Sequence, residues 1–159
     1  MELRQMKTIR QPKKSYLCTV ACCAMLTDRD LNYVLDKVLL VDAPDGSGNK
    51  YLPLFGAFRY LLGENYSCGT FATGLNGRKF DGSRLKRDGF VREGIEQTRA
   101  LLSVESETIK KGMHHIVWDP VIARVRDPQY DSHRTLANYK VHDWTPVIKW
   151  EFKDDSEQF

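Results

Sequence analysis

From Ser15 to Leu26 the chain reads SYLCTVACCAML, without a single charged side chain. Ser15 stands where an N-cap would, good helix formers follow, and Leu17, Ala21, Ala24 and Met25 recur at helical spacing. A helix with no charged face has no side to offer to water, so this one must be largely buried. Three of the chain's four cysteines, Cys18, Cys22 and Cys23, lie in it. What they do there decides what kind of protein this is.

The flanking sequence supplies the rest of a domain. TDRDLNYVLDKVLL predicts a second helix: Thr27 and Asp30 resemble a capping box, and Leu31, Val34, Leu35 and Val38 form one apolar stripe. DAPDGSGNKYLP is a turn-rich loop, and LPLFGAFRYLLG predicts a third helix stopped by Gly63. Between Glu64 and Arg92 glycines and the basic run GRKFDGSRLKRDGF point to loops with one strand or hairpin, and REGIEQTRALLS reads as a short helix. HHIVWDPVIARVRDP reads as two short strands around the turn former Asp119-Pro120. TPVIKWEF alternates, with Ile148, Trp150 and Phe152 on one face and Val147, Lys149 and Glu151 on the other, the pattern of a half-buried strand. The tail KDDSEQF is polar and expected to fray. Helices first and strands later predict an α+β domain over residues 1–159, helical over about 15–63, with an antiparallel sheet over about 112–153.

A chain of 159 residues can bury a real core, and a net charge of +3 does not demand an acidic partner. No apolar run approaches the roughly 18 residues that span a membrane, and MELRQMKTIRQPKK lacks the apolar centre of a signal peptide. The expected location is therefore the cytoplasm, where four cysteines are not a disulfide framework. Oligomeric state cannot be read.

Cys18 differs from the other two by position. In the first turn of its helix, backbone N–H groups and the helix dipole favour a thiolate, whereas Cys22 and Cys23 lie deeper, where cysteine behaves as a small hydrophobe. A thiolate nucleophile needs a base, and the base needs an orienting group. HHIVWDPVIARVRDP can supply both, because a hairpin would bring a histidine at its start beside Asp127 at its end.

Gln11, then Cys18 at a helix start in CTVACCAML, then HHIV and RDP resemble the papain-like cysteine peptidases of the bacteriocin-processing, double-glycine type. Those have a Gln upstream, a Cys-x-x-Ala-x-x-x-Met/Leu helix, a His-x-Val-Val strand and a following Asp-Pro. Similar stand-alone domains occur in phage genomes, which would make a host's cytoplasm the place of action. The resemblance covers about Ile9 to Leu35 and Gly112 to Pro128. It implies a papain-like fold and a Cys-His-Asp hydrolase acting on an amide bond of a protein or peptide, with no cofactor and no metal. Cys18 would be the nucleophile, Gln11 an oxyanion-hole donor beside the Cys18 N–H, and Asp127 the group orienting the histidine. Strand alternation separates His114 from His115; alignment with the family's strand makes His114 the base, and a shift of one residue would make it His115. Leu17 and Thr19 depart from the family, in which Asp often precedes the nucleophile and Gly or a long side chain often follows. The substrate stays open, as does the choice between hydrolysis and deamidation or acyl transfer.

Three other readings compete. A zinc site could use Cys18, Cys22, His114 and His115, but there is no Cys-x-x-Cys pair and adjacent strand residues point to opposite faces. A peptidase-like domain can lose catalysis and serve as a protein-binding module, possibly against a host protein. Finally, Arg78, Lys79, Arg84, Lys86 and Arg87 with Phe80 and Phe90 could grip nucleic acid, but Asp81 and Asp88 break the patch, and a solvated loop is the better reading.

Overall fold

Helix α1 spans Cys18–Thr27, and every residue in it after Cys18 is buried. The structure, a computed structural model, describes residues 4–69, 71–72, 97–109 and 112–150. The burial follows from the uncharged run: Val20, Met25 and Leu26 each gain about 1.5–3 kcal/mol by leaving water, and no charge on the helix opposes it. Ser15 does not cap α1. Leu17 takes the N-cap position without a side-chain hydrogen bond, so the first N–H groups of the helix have no capping side chain. At the other end Asp28 adopts a left-handed conformation, and the buried Arg99 guanidinium donates to the Leu26 carbonyl (3.2 Å) and to Asp28 Oδ2 (2.9 Å). A cation there complements the negative end of the helix dipole.

Helix α2 spans Leu31–Lys37 and α3 spans Leu54–Gly63. The expected capping box is not formed. Asp30 caps α2 by accepting the Tyr33 N–H (2.8 Å), while Thr27 belongs to the last turn of α1 and donates its hydroxyl to the Cys23 carbonyl (2.8 Å). The α2 stripe is as expected: Val34 is buried, and Leu31, Leu35 and Val38 pack against the same core. Between α2 and α3, β1 (Val41–Asp42) pairs antiparallel with β2 (Lys50–Tyr51). Their loop turns through Gly46 and Gly48, at φ +73° and +77°, where a side chain would be strained.

The main sheet comprises β3 (Tyr66–Cys68), β4 (Phe71–Ala72), β5 (Ala100–Glu105), β6 (Met113–Asp119), β7 (Arg124–Arg126) and β8 (Val141–Lys149). It is antiparallel, in the order β3-β8-β5-β6-β7, with β4 also on β8. Leu101, Val117 and Val147 join the α1 core; Leu102, Ile116, Trp118, Val125 and Trp144 belong to a second core with Leu136 and Tyr139. The protein is thus a mixed α+β structure, and its sheet takes in far more than the 112–153 segment.

Two local expectations are overturned. Ala100 to Ser103, read as part of a short helix, is the central strand β5. It is buried on both faces, so its residues show no alternation to mark it as a strand. The alternation in TPVIKWEF also points the wrong way. Val147 is buried while Ile148 and Trp150 are about half exposed, 50% and 49%. The basic run 77–90, Glu151, Phe152 and the tail lie outside the described residues. Among the described residues no helix is long and apolar enough to cross a membrane.

The segment before α1 is stitched to the far hairpin. Buried Asp119 Oδ2 accepts the Met6 N–H (3.1 Å) and pairs with buried Arg126 (3.3 Å), whose other end donates to Thr8 (2.9 Å). Gln11 N–H donates to the Pro128 carbonyl (3.0 Å). These bonds carry the start of α1 to the residues that follow β7.

Candidate active site

Cys18 is the first residue of α1 and half-buried; Cys22 and Cys23 are fully buried. Burial pushes both of those thiols well up, which makes them poor nucleophiles and suits a packing role. Cys18 goes the other way. Burial opposes its ionisation, but hydrogen bonds and charge from His114 and His115 outweigh that and hold the thiol well below its ordinary value.

Both histidines come from β6, whose first residues lie beside the start of α1. His114 Nε2 is 2.7 Å from Asp127 Oδ1, and both residues are buried. Because that bond uses Nε2, Nδ1 is the nitrogen left for the thiol. Burial lowers the affinity of His114 for its proton, but bonding to Asp127 and Cys18 raises it more, to a pKa of about 9. Asp127 is desolvated too, yet His114 and the donors around it keep its carboxyl below the usual carboxylate range. Those donors are the Gln129 N–H on Oδ1 (2.9 Å) and the Tyr139 hydroxyl on Oδ2 (2.7 Å). Three of the carboxylate's roughly four lone-pair directions are thereby occupied, which fixes its orientation.

His115 is held differently. Its Nδ1 is 2.8 Å from Thr19 Oγ1, and that hydroxyl is 3.8 Å from Cys18 Sγ. The nucleophile candidate therefore has an imidazole backed by a carboxylate and a second imidazole backed by a hydroxyl.

A cleft of about 360 Å³ opens at Cys18. Tyr16, Pro44, Leu52 and Leu54 line it from the helical half, Ser106, Ile109 and Met113 from the sheet half, with Gln11, His114 and His115 at the junction. Gln11 lies in this cleft, but its Nε2 donates to the Ser15 carbonyl (2.8 Å) and its Oε1 is buried without a partner. An amide nitrogen carries two hydrogens, so one remains after the bond to Ser15. The Cys18 N–H, at the first helical position, has no intrahelical acceptor. A larger hollow of about 680 Å³ between α2 and α3 holds none of the candidate site residues.

The structure brings together the four residues expected at the site, Gln11, Cys18, His114 and Asp127, and also places His115, the alternative base, in the same cleft. Thr19 and Tyr139 were not foreseen as contributors. In the sequence Thr19 stands out only as a departure from the family pattern, and Tyr139 sits in HRTLANYK, which carries no periodicity or motif to single it out. Of the four residues considered for zinc, Cys22 is in the core and the histidines are bonded to Asp127 and Thr19. Among the described residues no group of three or more His, Cys, Asp or Glu side chains could hold a metal ion.

Compared with known proteins, the chain matches no family model, no curated protein and no solved structure.

Proposed function

We propose that the protein is a papain-like cysteine peptidase in which Cys18, His114 and Asp127 hydrolyse an amide bond. The observation that carries the reading is the chain of contacts from Asp127 through His114 to a thiol at a helix N-terminus, opening on a cleft. The architecture supports it: a buried helix begins with the cysteine, packs on an antiparallel sheet, and meets a strand that carries the histidine.

In the resting site the proton resides on His114, leaving Cys18 as thiolate. The sulfur attacks the carbonyl carbon of a peptide held in the cleft, and the electron pair of the C=O bond moves onto oxygen. That oxyanion is held by the Cys18 N–H and the free hydrogen of Gln11 Nε2, donors of a kind each worth roughly 3–4 kcal/mol. Collapse expels the amine, which takes the proton from His114, and leaves an acyl thioester on Cys18. Water then attacks the thioester while neutral His114 takes its proton. The acid leaves, and the thiolate–imidazolium pair is restored. Asp127 stays ionised throughout and orients the ring.

The test is digestion of a mixed peptide library by wild type and by Cys18→Ala, with new termini read by mass spectrometry. The reading predicts new termini from wild type and none from Cys18→Ala. A folded wild type that produces none, or a Cys18→Ala variant that produces the same set, overturns it.

A further inference from the structure

A papain-like mechanism uses one imidazole, and this cleft contains two. His115 is adjacent in sequence to His114, yet the two rings are held by opposite cores of the molecule. His114 is fastened to Asp127 after β7, and His115 to Thr19 on α1. Neither ring can take over the other's partner, because side chains alternate across a strand. Nothing in the three-residue mechanism accounts for the Thr19–His115 bond.

We propose that His115, oriented by Thr19, is a second catalytic histidine whose task is to hold the Cys18 thiolate rather than to transfer the proton. The inference rests on the assignment of Cys18 as nucleophile. It divides the labour between the rings. His114 must lose and regain a proton in each cycle, whereas His115 takes no part in that transfer and can favour the thiolate each time it is restored. Among the described residues His115 is bonded to a hydroxyl rather than a carboxylate, and it lies on the cleft wall. A thiolate only accepts, so the Thr19 hydroxyl donates to the sulfur 3.8 Å away and accepts from Nδ1 of His115, linking ring and thiolate. Thr19 is thus a positioning residue.

Few other groups can confuse the titration. Among the described residues, the ionisable side chains coupled to Cys18 are His114 and His115 of β6 and Cys22 and Cys23 further along α1, with Asp127 standing behind His114. Asp45 lines the same cleft, where it is bonded to Tyr16. Both inner cysteines stay neutral, since burial raises them.

The experiment is the pH dependence of iodoacetamide alkylation at Cys18, located by mass spectrometry, in wild type, His115→Leu, Thr19→Val, Thr19→Ser, the double variant and His114→Ala. His115→Leu and Thr19→Val should each move the labelling midpoint up by about one pH unit, slowing labelling about tenfold at pH values well below the wild-type midpoint. The double variant should be no slower than the slower single, and Thr19→Ser should restore the wild-type curve. His114→Ala should lose peptidase turnover yet keep a midpoint below that of free cysteine. If His115→Leu does not fold, Thr19→Val against Thr19→Ser decides alone. A midpoint unmoved by Thr19→Val, or one that Thr19→Ser fails to restore, overturns the inference. A wild-type midpoint already at the free-cysteine value defeats the nucleophile assignment instead, so the two failures are distinct.

Discussion

His114 and Asp127, thirteen positions apart, meet at 2.7 Å beneath the surface, and the carboxylate of the pair is anchored on its far side by Tyr139 at 2.7 Å. The three form a buried relay whose outer end is the ring nitrogen facing Cys18. Removing the middle member should damage both activity and stability. Asp127→Ala leaves the His114 ring, the Tyr139 hydroxyl and the Gln129 N–H without their acceptor. Peptidase activity should fall by about 10²-fold or more, and stability by roughly 3–5 kcal/mol, the cost of breaking a buried pair from one side. Urea unfolding together with kcat measures both.

Tyr139→Phe tests the anchor separately. It keeps the ring in the second core and removes only the hydroxyl, leaving Asp127 Oδ2 one donor short. The expected loss is about 1–3 kcal/mol in urea unfolding, with Cys18 still labelled faster than a free cysteine. A variant as stable as wild type would mean that the bond does nothing for the carboxylate.

The pH dependence of stability carries a sharper signature. His114 is raised from an ordinary 6.5 to about 9, so taken alone its contribution is full below 6.5 and is lost as pH rises toward 9. Cys18 is lowered from an ordinary 9.0, so taken alone its contribution is present above 9.0 and is lost as pH falls through the native value. Where these windows overlap, the native site holds one proton on His114 and the unfolded chain holds one on Cys18. The proton counts match and the two slopes cancel. In Cys18→Ala the cancellation is gone, while Asp127 still favours charged His114. Relative to wild type, that variant should lose stability as pH rises above 6.5, by up to ~1.4 kcal/mol per pH unit. Thermal unfolding of the two proteins at several pH values shows whether the curves diverge as described. Parallel curves would contradict the ion pair.

Outside the site, Arg126 binds the N-terminal segment to the β6–β7 hairpin through buried Asp119 and Thr8. Arg126→Ala would strand the Asp119 carboxylate in the core, at a cost of roughly 3–5 kcal/mol. Amide exchange at Met6, whose N–H donates to the same Asp119 oxygen, should accelerate. Protection at Met6 equal to wild type would show the segment to be held by something else.

The sequence was most legible where a pattern had one physical meaning. An uncharged helix had to be central, and α1 is; Asp119-Pro120 had to turn, and β6 and β7 flank it. Cys18, His114 and Asp127 could be singled out because each proposed role asks for a residue type at a helix start, a strand start or a hairpin end. Ser15 misled because an N-cap is chosen by local backbone geometry, which puts α1's first turn three residues later. Strand β5 was missed because a central strand buried on both sides has lost its period. The face of β8 was misjudged because its burial does not alternate strictly, and β5 is irregular against it at Ser103/Val104. Thr19 and Tyr139 act through tertiary bonds to residues 96 and 12 positions away, which no local pattern encodes.

The most direct test of the central claim compares the pH profile of iodoacetamide labelling at Cys18 in the folded wild-type protein and in the same protein unfolded in urea. An ion-paired nucleophile predicts fast labelling of Cys18 at pH 6 in the folded chain, a midpoint well below that of the unfolded chain, and Cys22 and Cys23 protected until unfolding. Coincident midpoints, or a folded Cys18 that labels no faster than the unfolded one at pH 6, would contradict it and leave the cleft to a binding role.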